Sequence, residues 1–137
     1  MERSVAYSLV RRRDFKDPSG NEKLFYAQAQ ARGEMGIREI GQRLEQMCTL
    51  TYADIMAVLC ALPSVIRQGL ASGEIVQLGD LGYLQIGLKS KGAKTEKEFT
   101  NSLIKKAKFR FRPGKDMSDL VMSLNYERVP VRKKKGE

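Results

Sequence analysis

Two stretches decide how this chain folds: Gly73-Glu74-Ile75-Val76-Gln77-Leu78-Gly79-Asp80-Leu81-Gly82-Tyr83-Leu84-Gln85-Ile86, and further on Phe109-Arg110-Phe111-Arg112-Pro113-Gly114-Lys115. From Glu74 the residues alternate at period two, which predicts strand. Gly79-Asp80-Leu81-Gly82 interrupts that strand as a tight turn, because glycine and aspartate accept the dihedrals of a reversal. In the second stretch an extended chain puts Phe109 and Phe111 on one side and Arg110 and Arg112 on the other. Pro113-Gly114 stops it.

Upstream the period is helical. Ile37, Ile40, Leu44 and Met47 form one stripe of a short amphipathic helix. Thr51-Tyr52-Ala53-Asp54 predicts an N-cap with an acid three residues on. Beyond it Ile55, Leu59, Leu62 and Ile66 make an apolar seam, widened by Met56, Val58, Val65 and Leu70, and Gly73 suits the C-terminal cap. Pro63 removes a backbone donor inside this helix and predicts a kink. The stripe is too wide for so small a chain to cover, which points to burial against a second subunit. A helix–turn–helix unit is a reading that spacing alone leaves open.

The flanks are simpler. Residues 1–35 predict a β-hairpin: Val5, Tyr7 and Leu9 alternate, Lys16-Asp17-Pro18-Ser19-Gly20-Asn21 is a cluster of turn formers, and Leu24–Ala31 follows as a second strand. By propensity its Ala/Gln run also suits a helix. After Gly114, Asp116–Leu124 predicts a short helix with Met117, Leu120, Val121 and Leu124 as its apolar side. Tyr126–Val131 suits a last strand, and 132–137 a disordered basic tail.

The 137 residues carry 25 Lys+Arg against 16 Asp+Glu, a net charge of +9 that points to a polyanionic partner. The excess is local. Residues 1–68 hold ten basic and eight acidic residues, whereas Gly87–Lys115 alone holds ten basic residues against Glu96 and Glu98. Histidine is absent, which removes His-based triads, Cys/His zinc sites and the commonest general base, so no enzyme, cofactor or metal is expected. Asp14, Asp17 and Glu22 resemble a metal loop, but turn chemistry explains them better. Cys48 and Cys60 are too few for a disulfide framework and are expected to be small buried hydrophobes in a reducing compartment. No apolar run approaches the roughly 18 residues of a membrane span, and Met1-Glu2-Arg3-Ser4 lacks a signal-peptide core, so a cytoplasmic protein without a membrane partner or small-molecule substrate is expected.

The order of elements and three motifs resemble the HU/IHF family of bacterial histone-like DNA-binding proteins. Gly73 to Leu84 looks like that family's strand–turn–strand entering its arm, with Leu81 and Leu84 where the family favours phenylalanine. Phe111-Arg112-Pro113-Gly114-Lys115 matches its F-[KR]-P-G-K signature at the arm's return, and the two-helix unit precedes both. The match spans about residues 36–124. The extensions 1–35 and 125–137 look like those of longer Bacteroidetes variants. The resemblance implies an α+β fold: a helical dimerisation body, an antiparallel sheet with an extended β-ribbon arm at 87–108, an N-terminal β-hairpin and a C-terminal strand. It implies an intertwined homodimer, with a heterodimer left open, whose arms reach around the DNA minor groove in a nucleoid-associated role. Family arms carry a wedging proline near the tip; Gly87–Lys108 has none, so the wedge is not carried over.

At about eleven residues per strand, such a ribbon would extend roughly 35 Å. Lys89 and Lys91 would alternate on one side of the outgoing strand, and Lys106, Lys108, Arg110 and Arg112 on the return. The expected DNA contacts are these six with Lys94, Lys97, Lys105 and Lys115, which suit phosphates rather than base edges. Lysines guarding an exposed hairpin edge are the plainer alternative. Phe99 and Leu103 are candidate wedges, or else pack across the ribbon. Ile55, Leu59, Leu62, Ile66, Leu81, Leu84 and Phe111 are the expected dimer core. Arg11-Arg12-Arg13 suits a phosphate contact and a solvated strand end equally. Double-stranded DNA is the leading partner; RNA, branched or single-stranded nucleic acid is the alternative, and a structural dimer scaffolding another protein the third.

Overall fold

The computed structural model describes residues 3–131, so the basic tail at 132–137 lies outside the described residues. Its elements run β1 (Val5–Arg13), β2 (Lys23–Ala29), α1 (Ile37–Glu45), α2 (Tyr52–Ala71), β3 (Val76–Gln77), β4 (Gly82–Ser90), β5 (Ile104–Pro113), α3 (Lys115–Met122) and β6 (Tyr126–Arg128). Among the described residues the fold is α+β, with three α-helices and two three-stranded sheets. The chain divides into two compact units, Met1–Met35 with Ser123–Glu137, and Gly36–Met122.

The first unit is a sheet of order β2-β1-β6. The Ala/Gln run is strand: β2 pairs antiparallel with β1, setting Tyr7 opposite Ala29 and Leu9 opposite Ala27. β6 adds in parallel on the other edge of β1, with Val5 opposite Tyr126 and Tyr7 opposite Arg128. Ser8 is fully buried, and its hydroxyl accepts a 2.7 Å hydrogen bond from Gln30 Nε2. The β1–β2 loop is organised by Asp17, whose carboxylate accepts from Ser19 N at 3.0 Å, Ser19 Oγ at 2.7 Å and Glu22 N at 2.8 Å. Those donors, the Glu22 amide foremost, hold the Asp17 carboxyl below its usual range.

In the second unit α1 crosses α2 where α1 has no side chain: a Cβ on Gly41 would lie 2.9 Å from Met56 Sδ. Thr51 caps α2, accepting from Asp54 N at 3.3 Å, while its hydroxyl lies 2.9 Å from the Asp54 carboxylate. The far end closes as a Schellman motif. Gly73 takes φ +78°, its N–H bonds Leu70 O and Glu74 N bonds Gly69 O, both at 3.0 Å. The sheet has order β3-β4-β5. Its turn is a 3-10 segment at Gly79–Leu81, and Gly82 leaves it at φ +134°, a conformation open in practice to glycine alone.

That turn explains why the two deciding stretches belong together. A Cβ on Gly82 would collide with the Arg112 carbonyl, and one on Gly114 with the Asp80 carbonyl. The backbones of the G-D-L-G and R-P-G-K segments therefore mesh without side chains between them, and Gly114 N donates to Leu81 O at 3.1 Å.

Several expectations need correction. The strand pairing stops at Ser90 opposite Ile104, short of the anticipated 35 Å ribbon. Residues 91–103 instead form a loop with 3-10 turns at Glu96–Glu98 and Asn101–Leu103. Thr95, whose Oγ accepts from Glu98 N at 3.3 Å, offers the backbone a local partner in place of a ladder. Lys91 lies beyond the strand. Met47 lies past the end of α1 and is 82% exposed. Cys48 and Cys60 are exposed, because the first sits beyond α1 and the second on an α2 face that nothing in the described chain covers. Finally, α2 is long and apolar enough by length and composition to cross a membrane, because Asp54 and Arg67 lie near its two ends and leave a predominantly apolar stretch between them.

Candidate nucleic-acid interface

The period-two alternation of both strands, locked by their register, sorts the β4–β5 ribbon into two faces. Directly opposed residues share a face, and the pairs are Tyr83 with Arg112, Gln85 with Arg110, Gly87 with Lys108 and Lys89 with Lys106. One face thus gathers Lys89, Lys106, Lys108, Arg110 and Arg112. The other takes Leu84 opposite Phe111, Ile86 opposite Phe109 and Leu88 opposite Ala107.

Neighbouring cations along β5 are about 6.6 Å apart, two residues of strand rise. Gly87 gives the row its shape. A Cβ there would lie 2.5 Å from Arg110 Nε, so the guanidinium of Arg110 rests across the opposite strand in space that any larger residue would fill. At the ribbon's base Arg112 Nη1 lies 3.4 Å from Tyr83 Oη. The row carries no acid. Among the described residues the ion pairs are Arg32–Glu127 and Arg43–Glu39, and neither touches the ribbon. A row of exposed cations without carboxylate partners suits a polyanion.

The other expected contacts disperse. A register shift between Lys89 and Ser90 leaves Lys105 as the extra residue of a bulge, off the ladder that holds Lys106. Lys91, Lys94 and Lys97 belong to the loop, and Lys115 opens α3. Phe99 is 40% exposed and borders a recess with Ala93, Lys94, Thr95 and Glu96. Leu103 is half-buried, and its carbonyl accepts from Lys91 N at 2.8 Å to close the loop.

The apolar face meets α2 over a groove of about 590 Å³ whose lining includes Ile66, Leu70, Leu84, Ile86 and Phe109. Of the expected dimer core, Ile55 and Leu84 are buried within the chain itself. Leu59 and Ile66 are half-buried, and Leu62, Leu81 and Phe111 are 39%, 46% and 47% exposed. Sequence reasoning missed Gly87 as the seat of Arg110 and Tyr83 as the neighbour of Arg112. Continuing the alternation of β4 across to its partner strand is the signal that finds both.

The family described as an HU domain fused to wHTH, Ig, or glycine-rich motif matches residues 3–128. No curated protein sequence matches the chain. Among solved structures, one similar fold is a crystal structure from Bacteroides vulgatus ATCC 8482, provisionally assigned as a bacterial DNA-binding protein, with a TM-score of 0.62 at 14% identity. The similarity covers 98% of this chain but only 52% of that one, so this chain spans about half its length.

Proposed function

The chain belongs to the HU-HIG family of fused HU domains, and from that premise we propose that it binds double-stranded DNA with little regard to sequence and shapes it as part of the bacterial nucleoid. The observation that carries this reading is the single ribbon face holding Lys89, Lys106, Lys108, Arg110 and Arg112 with no carboxylate among them. Long cations at regular spacing meet phosphates, which every sequence presents alike, rather than base edges. The Bacteroides vulgatus protein of similar fold, itself provisionally assigned to DNA binding, supports the same partner.

The acting unit is a dimer in this reading. Ala6, Ile55 and Leu84 are the buried apolar residues of the described chain, while Leu62, Val65, Leu81, Phe109 and Phe111 stand open on α2, the 3-10 turn and the sheet. Burying a Leu or Phe contributes about 1.5–3 kcal/mol, so covering several of these would supply much of an ordinary domain's stability. The dimer brings two cationic ribbons to one duplex. The ribbons hold DNA through phosphates and bend it smoothly, since Gly87–Lys108 has no proline and Glu96 and Glu98 in the loop oppose deep insertion. Smooth bending of a 20–30 bp site by 40–90° costs on the order of 1–6 kcal/mol, which several phosphate contacts offset.

Gel shifts on unrelated duplexes, with RNA and four-way junctions as competitors, test the reading. Binding of comparable strength to all duplexes and weaker competition by RNA are expected. Failure to bind any duplex at low salt overturns it.

A further inference from the structure

A second cationic surface lies in the first unit, built from residues none of which belongs to the ribbon. On the face of the β2-β1-β6 sheet that carries Val5, Tyr7 and Leu9, the registers continue to Arg11 opposite Phe25 and Arg13 opposite Lys23, with Arg128 beside Tyr7. The guanidinium carbon of Arg11 stands 5.3 Å from the centre of the Phe25 ring, a cation–π arrangement that fixes both groups at the surface. Phe25 and Tyr126 are 64% and 67% exposed. Beside Tyr126 a groove of about 560 Å³ is lined by Val5, Tyr7, Leu9, Ala27, Ala29 and Tyr126, and its alanines leave room for a flat ring. An adjoining recess shares Leu9 and brings Arg128 beside Phe25.

The opposite face differs. There Glu127 accepts from Arg32 Nη2 at 2.6 Å and from Ser4 Oγ at 3.2 Å, so that face holds a paired carboxylate, with Arg12 further along β1. Among the described residues neither ion pair engages Arg11, Arg13, Lys23 or Arg128.

We propose that this face binds single-stranded nucleic acid, with phosphates on Arg11, Arg13, Lys23 and Arg128 and unpaired bases stacked on Phe25 and Tyr126. A duplex keeps its bases inside and offers these rings no π-face, whereas a single strand offers one per nucleotide. A second copy of the chain docking here would bury four cations without a carboxylate partner, which is costly. The site shares no residue with the ribbon.

The test uses the full chain, a labelled oligo(dT) of about twenty nucleotides and a labelled duplex of about thirty base pairs, with anisotropy followed across salt. Arg11→Gln/Arg13→Gln/Arg128→Gln should weaken oligo(dT) binding tenfold or more and flatten its log–log salt slope by about 2, leaving duplex affinity within about twofold. The ribbon change Lys106→Ala/Lys108→Ala/Arg110→Ala should leave oligo(dT) affinity within about twofold, so failure of this site and failure of the ribbon reading are told apart. Oligo(dT) should quench tyrosine fluorescence, and Tyr126→Phe, which keeps the ring and the fold, should abolish most of that quenching while retaining affinity. No oligo(dT) binding at low salt, equal losses for both probes, or undiminished quenching in Tyr126→Phe would overturn the proposal. A fall in particle mass in the arginine variant would do so as well, by assigning the face to a second copy.

Discussion

Gly82 and Gly114 meet backbone to backbone at the base of the ribbon: a Cβ on Gly82 would lie 2.9 Å from Gly114 N, and one on Gly114 would lie 3.2 Å from Gly82 N. Gly82→Ala forces a side chain into φ +134° and into the Arg112 carbonyl. The backbone conformation alone should cost about 1–3 kcal/mol, measured as a lower urea midpoint. Gly92, with nothing near its missing Cβ, is the control; Gly92→Ala should change stability by less than about 0.5 kcal/mol.

The ribbon cations should dominate the salt dependence of duplex binding. If each of Lys106, Lys108 and Arg110 neutralises one phosphate, replacing all three by Ala lowers the log–log slope by about 3. Their exposure keeps the thermal midpoint nearly unchanged. A slope as steep as before would move the DNA contact off this face.

Leu62 separates a monomer from a dimer. It is 39% exposed in the single chain, where an exchange for Asp would cost only a fraction of a large core mutation. Against a partner's apolar face the same carboxylate would be buried unpaired. Leu62→Asp should therefore abolish cooperative folding together with dimerisation, followed by circular dichroism and light scattering. A folded, soluble monomer of the unaltered protein would contradict the dimer.

Acid should loosen the loop between β1 and β2 before it affects the ribbon. The Asp17 carboxylate accepts from Glu22 N and Ser19, which lowers its pKa in the folded state. Its contribution to loop order is complete above the ordinary carboxylate range and is lost as pH falls through the lowered value, below about pH 4. The protection of the Ser19 and Glu22 amides, taken relative to the intrinsic exchange rate at each pH, should fall in that window, and Asp17→Asn should show much of that loss already at neutral pH.

Bending should survive loss of the loop's apolar side chains. Energy transfer across a short end-labelled duplex should be the same for the native protein, Phe99→Ala and Leu103→Ala. A large bend that collapses in either variant without a matching loss of affinity would make that residue a wedge.

Much of this was legible in the sequence because it is local. The caps of α2 depend on Thr51, Asp54 and Gly73, each within one turn of the helix end it closes. The two faces of β5 follow from the alternation of Phe109, Arg110, Phe111 and Arg112. The fate of Cys48 and Cys60 was not legible, since burial depends on which other surface arrives. The loop at 91–103 was missed because hydrogen bonds such as Thr95 Oγ to Glu98 N compete with a ladder by margins that composition does not reveal.

By itself the sequence determined that cations concentrate between Gly87 and Lys115, and that aromatics and arginines take opposite sides of one strand. Only the tertiary structure decided which cations act together. Side chains in strands alternate with a period of two, so one extra residue exchanges every face beyond it. The bulge at Lys105 thus keeps Lys106 with Lys89 and sets Lys105 apart, and the parallel register of β6 on β1 brings Arg128 beside Tyr7 across more than a hundred residues of chain. Neither pairing exists until distant backbones exchange hydrogen bonds, and that exchange depends on which segments meet, which no local pattern encodes.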